Sequence, residues 1–384
     1  MTFIFCQQYD KISAIMLKVI ISRYWKCIIA VTTVCLSLWQ LRSLWSIHQL
    51  DFHIYYEASK VWRTGGDPYG DLGLGTSLTF LYPTPTLLIF WPLSFLDLTT
   101  AQRVWLILNL GLILVSVYLC LTLNCRKTTF ASALLTYAFV LQTFSVKYNL
   151  GMGQINILVL FLVLLACHLL SRQHERWAGV YLGLAGIVKI WPLALLPFLL
   201  YKKQYQIALM AMMTFLIIQL PWWRTTLTSF AAVGSHLQGA GIITNDVYDQ
   251  SLIVAANRLI AWPGWKTVVP ILMLAFYRFI SYRTGQCLSI SEVCLFLVVP
   301  IIFAVSPIYA HYSIYLYPCL YLLFRHYWWL LLVVWLSLQI TIGTTTPWFL
   351  SSYYAWWLVL LCVPAVIKTS FNAYHGKDNK VNAK

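Results

Sequence analysis

Asp51 is the residue of this chain best placed to do chemistry. The chain has only 11 acidic residues in 384, yet Asp51, Glu57, Asp67 and Asp71 fall close together among Tyr55, Tyr56 and Tyr69. Asp51 comes first, just beyond an apolar run at 26–45 that is long enough to cross a bilayer. A carboxylate at the mouth of a helix bundle can take a proton from a hydroxyl, and partial burial tunes its pKa. The plainer role for such an acid is a helix cap or a solvated surface group. The aromatic neighbours, with His53 and Tyr55 following, favour chemistry.

Other candidates lie further along. His311, in the stretch Ser306-Pro307-Ile308-Tyr309-Ala310-His311-Tyr312, sits at the edge of a later apolar run, where it could move a proton or bind a phosphate. It could equally belong to an interfacial aromatic belt, in a chain with 18 Trp and 24 Tyr. Lys189 lies inside an apolar stretch, three residues before Pro192. Ionisable groups at such depth are costly and point to function, here the binding of an anion such as phosphate; snorkelling to a headgroup is the alternative. Gln154 and Asn156, after Gly151 and Gly153, could hydrogen-bond a polar ligand or serve helix packing. Gln250 and Arg258 are weaker candidates for holding sugar or phosphate.

These residues need a scaffold, and composition names its class. The chain is 60% hydrophobic and 10% charged, with a mean hydropathy of +0.75. That excludes an ordinary soluble domain. Apolar runs recur near 26–46, 101–123, 128–147, 153–171, 177–200, 205–222, 266–281, 287–305, 311–324, 327–343 and 350–367. Alternating strand patterns are absent, so the expected fold is all-α, a polytopic bundle of about twelve transmembrane helices. Residues 1–368 read as one membrane domain, and 369–384 as a polar cytoplasmic tail. Two stretches are ambiguous. The proline-bounded 84–98 can cross or lie at the interface, and 177–200 is one helix or two short ones broken at Lys189–Pro192.

Charge arbitrates between them. The net charge is +15, but Lys and Arg gather in short loops between apolar runs, the pattern of topology determinants rather than of a nucleic-acid surface. The favoured assignment leaves 84–98 uncrossed and breaks 177–200. Under either assignment both termini are cytoplasmic, and Asp51, the loop 52–83, the loop 223–265 and the turn 306–312 share the outer face. Short interfacial helices are expected at Tyr55–Arg63 and Asp249–Leu259 within those loops. The ten cysteines lie mostly in or beside spans with no CxxC, and read as small packing residues. There is no P-loop, HExxH or G-x-S-x-G, and Asp67-Pro68-Tyr69-Gly70-Asp71 is not the D-x-D with which a nucleotide-sugar transferase holds metal.

Taken in order, several loose motifs resemble glycosyltransferase family 87, polytopic polyprenyl-phosphate-mannose-dependent mannosyltransferases of the GT-C superfamily. They are Asp51-x3-Tyr55-Tyr56-x-Ala58 with Gly66-Asp67-Pro68-Tyr69; Tyr82-Pro83-x-Pro85 with Trp91-Pro92-Leu93; Gly153-Gln154-Ile155-Asn156; Ala178-Gly179 through Lys189 and Pro192; Gln250-Ser251-Leu252 with Arg258-Leu259; and Ser306-Pro307 with His311. The resemblance implies Asp51 as the catalytic acid and a histidine at the later outer turn, His311. This chain departs from the family there, having Ile308-Tyr309-Ala310 where Trp and a paired His are usual.

The implied activity is inverting transfer of a hexose, mannose-like, from polyprenyl phosphate to a lipid-linked or glycan acceptor, with no metal or other cofactor. Asp51 would deprotonate the acceptor, Lys189 with His311 or Arg258 would balance phosphate charge, and Tyr55, Tyr56, Tyr69 and Tyr82 would stack on sugar. The implied partners are the lipid-linked donor, a glycolipid or glycan acceptor and membrane lipids. The implied location is a plasma (inner) membrane. A flippase or transporter of lipid-linked glycan is the alternative, disfavoured by the lack of an inverted repeat. A polymerase of the O-antigen type would want paired arginines in large outer loops.

Overall fold

The computed structural model describes residues 31–75, 78–124 and 129–225, then 227, 228, 252–265 and short runs or single positions between 267 and 318. Among the described residues every regular element is helical and there is no strand. Two described helices are long and apolar enough to cross a membrane, Leu98–Leu123 and Tyr205–Thr225. A bent pair, Phe144–Met152 with Asn156–Ser171, passes the same test as one broken span, turned through 119°. The expected spans at 287–305, 327–343 and 350–367 and the tail 369–384 lie outside the described residues, as do parts of 266–281 and 311–324.

Helix α1 covers 31–45. It docks on α5 (Phe130–Leu141) through polar groups in an apolar setting. Ser37 donates to the Ala138 carbonyl at 2.9 Å, Gln40 to Leu141 at 2.7 Å, and Gln142 returns a bond to Thr33 at 2.7 Å. Interhelical bonds of this kind hold helices where no hydrophobic force favours one apolar partner over another.

After a short turn comes α2 (Leu50–Arg63), with Asp51 in its first turn and Lys60 and Arg63 in its last, complementing the helix dipole. The expected short helix at Tyr55–Arg63 is thus real but starts five residues earlier, placing Asp51 on it. One face of α2 is buried: Phe52 packs on Trp105 and Phe90, with ring centroids 6.1 and 6.0 Å apart. The segment 84–95 is three short pieces, Thr84–Thr86, α3 (Leu87–Phe90) and Pro92–Phe95, because Pro85 and Pro92 prevent one continuous ladder. It covers α2: Tyr56 donates to the Leu96 carbonyl at 2.7 Å and Arg63 to Ser94 at 3.0 Å.

The rest is a row of packed helices. α4 (Leu98–Asn124), N-capped by Asp97, packs on α7 (Asn156–Ser171); α7 packs on α8 (Glu175–Val188), and α8 on α10 (Tyr205–Gln219). The α8–α10 approach needs glycine. A Cβ on Gly179 would fall 2.6 Å from the Ile207 carbonyl oxygen, and one on Gly183 2.5 Å from that of Ala211. Glycines four apart let the two backbones meet.

One expected span divides. The stretch 128–147 is α5 and then α6 (Phe144–Met152), parted at Thr143. Thr143 Oγ1 donates to the Val140 carbonyl at 2.7 Å while Gln142 is tethered to α1. A local side-chain bond to backbone competes with the helical ladder. The break expected in 177–200 is present: α8 stops at Val188, Lys189 is extended, and a tight turn Trp191–Leu195 leads into α9 (Leu196–Tyr201). Pro192 offers no N–H, and its ring crowds the carbonyl four residues back, that of Val188. The helix expected at Asp249–Leu259 spans Leu252–Leu259.

Candidate functional site

The site forms where four breaks in regular structure meet: the start of α2, the irregular segment 78–83, the bend between α6 and α7, and the end of α8. The bend is the keystone. Gly153 ends α6 in the left-handed conformation (φ +68°), and a Cβ there would lie 2.6 Å from Phe52 Cβ and 2.7 Å from Gln49 Oε1. Only glycine takes that conformation without strain and also permits the approach. Its carbonyl accepts from Trp105 Nε1 at 2.9 Å. Gln154 and Asn156 are thereby thrown to the same end of the bundle as Asp51.

The Asp51 carboxylate accepts a hydrogen bond from Gln154 Nε2. Gln154 Oε1 lies 3.4 Å from the Tyr55 hydroxyl, which is 3.2 Å from that of Tyr82. Burial pushes the Asp51 carboxyl up to about 6, against the Lys189 charge and the Gln154 bond, which pull it down. Tyr55, one helical turn from Asp51, is fully enclosed and its hydroxyl is pushed well above the ordinary range by burial, so it stays a neutral donor.

Lys189 anchors the other side. Its ammonium donates to Asn156 Oδ1 at 2.6 Å and to the Tyr312 hydroxyl at 3.0 Å. It also stands over the Tyr312 and Tyr82 rings, 4.4 and 5.3 Å from their centroids. Asn156 Oδ1 also accepts from Tyr315 at 3.0 Å, and Asn156 Nδ2 donates to Asn149 Oδ1 at 2.9 Å. Tyr82 therefore links the two groups, its hydroxyl meeting that of Tyr55 and its ring lying near the Lys189 ammonium. Tyr69 supports it from behind, donating to the Tyr82 carbonyl at 2.9 Å.

The structure gathers Asp51, Tyr55, Tyr82, Gln154, Asn156 and Lys189 into one network, with Tyr69 in its wall. Tyr56 is not in it: that ring packs beneath Lys60, and its hydroxyl is committed to Leu96. Arg258 is on the helix Leu252–Leu259. His311 and Gln250 lie outside the described residues, and so does the expected proximity of His311 to Asp51. Three members were not foreseen in the sequence: Asn149, Tyr312 and Tyr315. The i, i+3 spacing of the two tyrosines is a signal, lost among the many tyrosines of the chain. Asn149 gives none, since helical periodicity across 149–156 fails at Gly153.

Outside the network, His48 and His53 approach within 3.2 Å at the surface end of α2, and His53 Nε2 is 3.7 Å from Glu57. Burial and the neighbouring His48 hold His53 below the usual imidazole range.

Comparison with known proteins bears on this geometry. The chain is similar to a polyprenol-phosphate-mannose-dependent alpha-(1-2)-phosphatidylinositol mannoside mannosyltransferase of Mycobacterium tuberculosis, at 25% identity over 191 residues, covering 45% of this chain and 44% of the relative. It is also similar to the protein so named from Mycolicibacterium smegmatis, at 25% identity over 175 residues, covering 41% and 39%. The chain thus spans less than half the length of these curated relatives. No solved structure matches it. The family model for glycosyltransferase family 87 matches residues 80–307, which hold Tyr82, Gln154, Asn156 and Lys189. Asp51 precedes that stretch and is tied to it by the bond from Gln154. With more than half of its length matched, the chain belongs to glycosyltransferase family 87.

Proposed function

We propose that this protein is a membrane mannosyltransferase that moves mannose from polyprenyl phosphate to a glycolipid acceptor, with inversion at the anomeric carbon. The observation that carries this reading is the convergence of a half-buried carboxylate, Asp51, and a buried ammonium, Lys189, on one network, Asp51 through Gln154 and Tyr55 to the Tyr82 hydroxyl and Lys189 at the Tyr82 ring. The names of the two similar proteins supply the donor and the glycolipid class of acceptor.

In the reaction the Asp51 carboxylate accepts the proton of an acceptor hydroxyl. The oxygen attacks the anomeric carbon of the sugar as the bond from that carbon to the phosphate oxygen breaks. The phosphate leaves on the prenyl chain with the bonding electron pair, and the Lys189 ammonium balances its charge. Tyr55, Tyr69 and Tyr82 give the sugar an aromatic wall. Prenyl phosphate is already a fair leaving group, so the reading assigns no metal. His311, Gln250 and Arg258 remain candidates for the phosphate and sugar contacts. The chain is taken as one plasma-membrane (inner-membrane) unit of about twelve spans, with the site on the outer face and both termini cytoplasmic.

The test is direct. The purified protein in lipid vesicles is given labelled polyprenyl-phosphate mannose and phosphatidylinositol mannosides. Formation of a longer glycolipid, lost in Asp51→Asn, supports the reading. Movement of the intact donor across the bilayer with no new glycosidic bond would instead make the protein a flippase.

A further inference from the structure

Gln154 and Asn156 have the residue types of sugar ligands, but each is bonded to one of the protein's own charged groups, Gln154 to Asp51 and Asn156 to Lys189. An asparagine oxygen has two lone pairs. Both of those on Asn156 Oδ1 are used, by Lys189 at 2.6 Å and Tyr315 at 3.0 Å. One of its two N–H groups is given to Asn149 Oδ1, and the side chain is 0% exposed. The orientation of the chain of amides is dictated from one end. Lys189 can only donate, so Asn156 must present oxygen to it and nitrogen to Asn149. Asn149 must then turn its own nitrogen to the Ser145 carbonyl, as it does at 2.6 Å. Gln154 is constrained in the same way: an ionised Asp51 can only accept, so the amide nitrogen faces Asp51 and the oxygen faces Tyr55.

Both amides stand on the same four residues, 153–156. That bend is held by the Gly153 conformation, by the bond from Trp105, and by the Gln154 backbone N–H donating to the Asn149 carbonyl at 2.8 Å. We infer that the α6–α7 bend is a positioning device, in which Gln154 orients the Asp51 carboxylate and Asn156, backed by Asn149, orients the Lys189 ammonium, so that one rigid turn sets the distance from base to cation. Neither amide touches substrate. The inference rests on the reading of Asp51 as base and Lys189 as the cation for the leaving phosphate.

Among the described residues, the titratable groups facing Asp51 are Lys189, Tyr55 and Tyr82. His53 and Glu57, on the same helix, are turned to His48 and Lys60. The acidic limb of the pH–rate profile therefore reports on Asp51 and on what bonds it.

The experiment measures kcat and donor KM against pH for this protein and four variants, Asp51→Asn among them, with thermal unfolding in detergent as a check on folding. Gln154→Ala and Gln154→Glu should each move the acidic limb of kcat/KM to higher pH, Glu by about a unit or more because a second carboxylate opposes ionisation. Both should leave donor KM within about threefold, the variation expected when no substrate contact is lost. Asn156→Asp keeps the shape and the tether but cancels the Lys189 charge. It should raise donor KM at least about tenfold, a change the Gln154 variants lack, and also move the limb to higher pH, because the Lys189 charge helps Asp51 to ionise. If either Gln154 variant folds and changes KM without moving the limb, Gln154 is a substrate ligand and the inference fails. If Asn156→Asp folds and leaves KM unchanged, the inference fails for Asn156. A wild-type profile with no limb, or an active Asp51→Asn, would overturn the reading of Asp51 instead, so the two failures are distinguishable. Should Gln154→Ala not fold, Gln154→Glu, which preserves size, carries the test.

Discussion

Gln154 and Asn156 are two residues apart and grip opposite charges. Gln154 donates to the Asp51 carboxylate, and Asn156 accepts from the Lys189 ammonium at 2.6 Å. Asp51 and Lys189 are far apart in the chain, yet the bend between α6 and α7 puts both within one side chain's reach of the same turn. The experiments below probe each part of that arrangement.

Asp51→Asn keeps the shape of the side chain and removes its ability to take a proton. Transfer should fall by about 10²–10⁴-fold, the usual worth of a positioned base. A variant retaining more than about a tenth of wild-type turnover would remove Asp51 from that role.

The acidity of Asp51 gives two pH dependences. Its carboxyl titrates at about 6 instead of 3.8, so activity that needs the ionised form should rise tenfold per pH unit below about 6 and level off above it. Stability runs the other way. A group whose folded pKa is raised contributes stability that is full below the unfolded pKa and is lost as pH climbs through the folded one. Ionised Asp51 therefore costs on the order of 3 kcal/mol at pH 7.5. Asp51→Asn should melt above wild type at that pH, with the gap closing by about pH 4. A gap that does not depend on pH would show that Asp51 is not held in the raised state.

Lys189→Ala should raise donor KM by about tenfold or more, and Lys189→Arg by much less, because both disturb packing but only alanine removes the charge. The comparison is made at saturating acceptor with both variants checked for folding. Equal, mild effects would return Lys189 to a packing role.

Gly153→Ala should destabilise the protein by about 2 kcal/mol or more, combining left-handed backbone strain with a clash against Phe52 and Gln49. Thermal unfolding in detergent reads the loss. Gly111→Ala is the control, since a Cβ there meets nothing within 4 Å.

Transfer should survive chelation, because in the proposed reaction Lys189 balances the leaving phosphate and the donor carries no diphosphate for a metal to hold. Loss of activity in EDTA, recovered with magnesium or manganese, would refute this.

Composition and the spacing of apolar runs pointed to a helical membrane protein, because a bilayer leaves few other ways to satisfy a backbone, and among the described residues every regular element is helical. Local chemistry was also legible. Pro192 marked where α8 would break, since a missing N–H and a ring clash act within four residues. Asp51 and Lys189 stood out because charges are scarce in this chain and costly at such places. What the sequence could not reveal is which groups would meet. The split of 128–147 at Thr143 depends on Gln142 being tied to α1, a contact 109 residues away. Asn149 looked like any polar residue on a helix until the turn at Gly153 folded it back onto Asn156. Tyr56 and Tyr55 are neighbours in the chain, but the pitch of α2 sends one hydroxyl to Leu96 and the other to the site. Such assignments belong to tertiary structure because a hydrogen bond acts over about 3 Å, and only packing decides which distant atoms come that close.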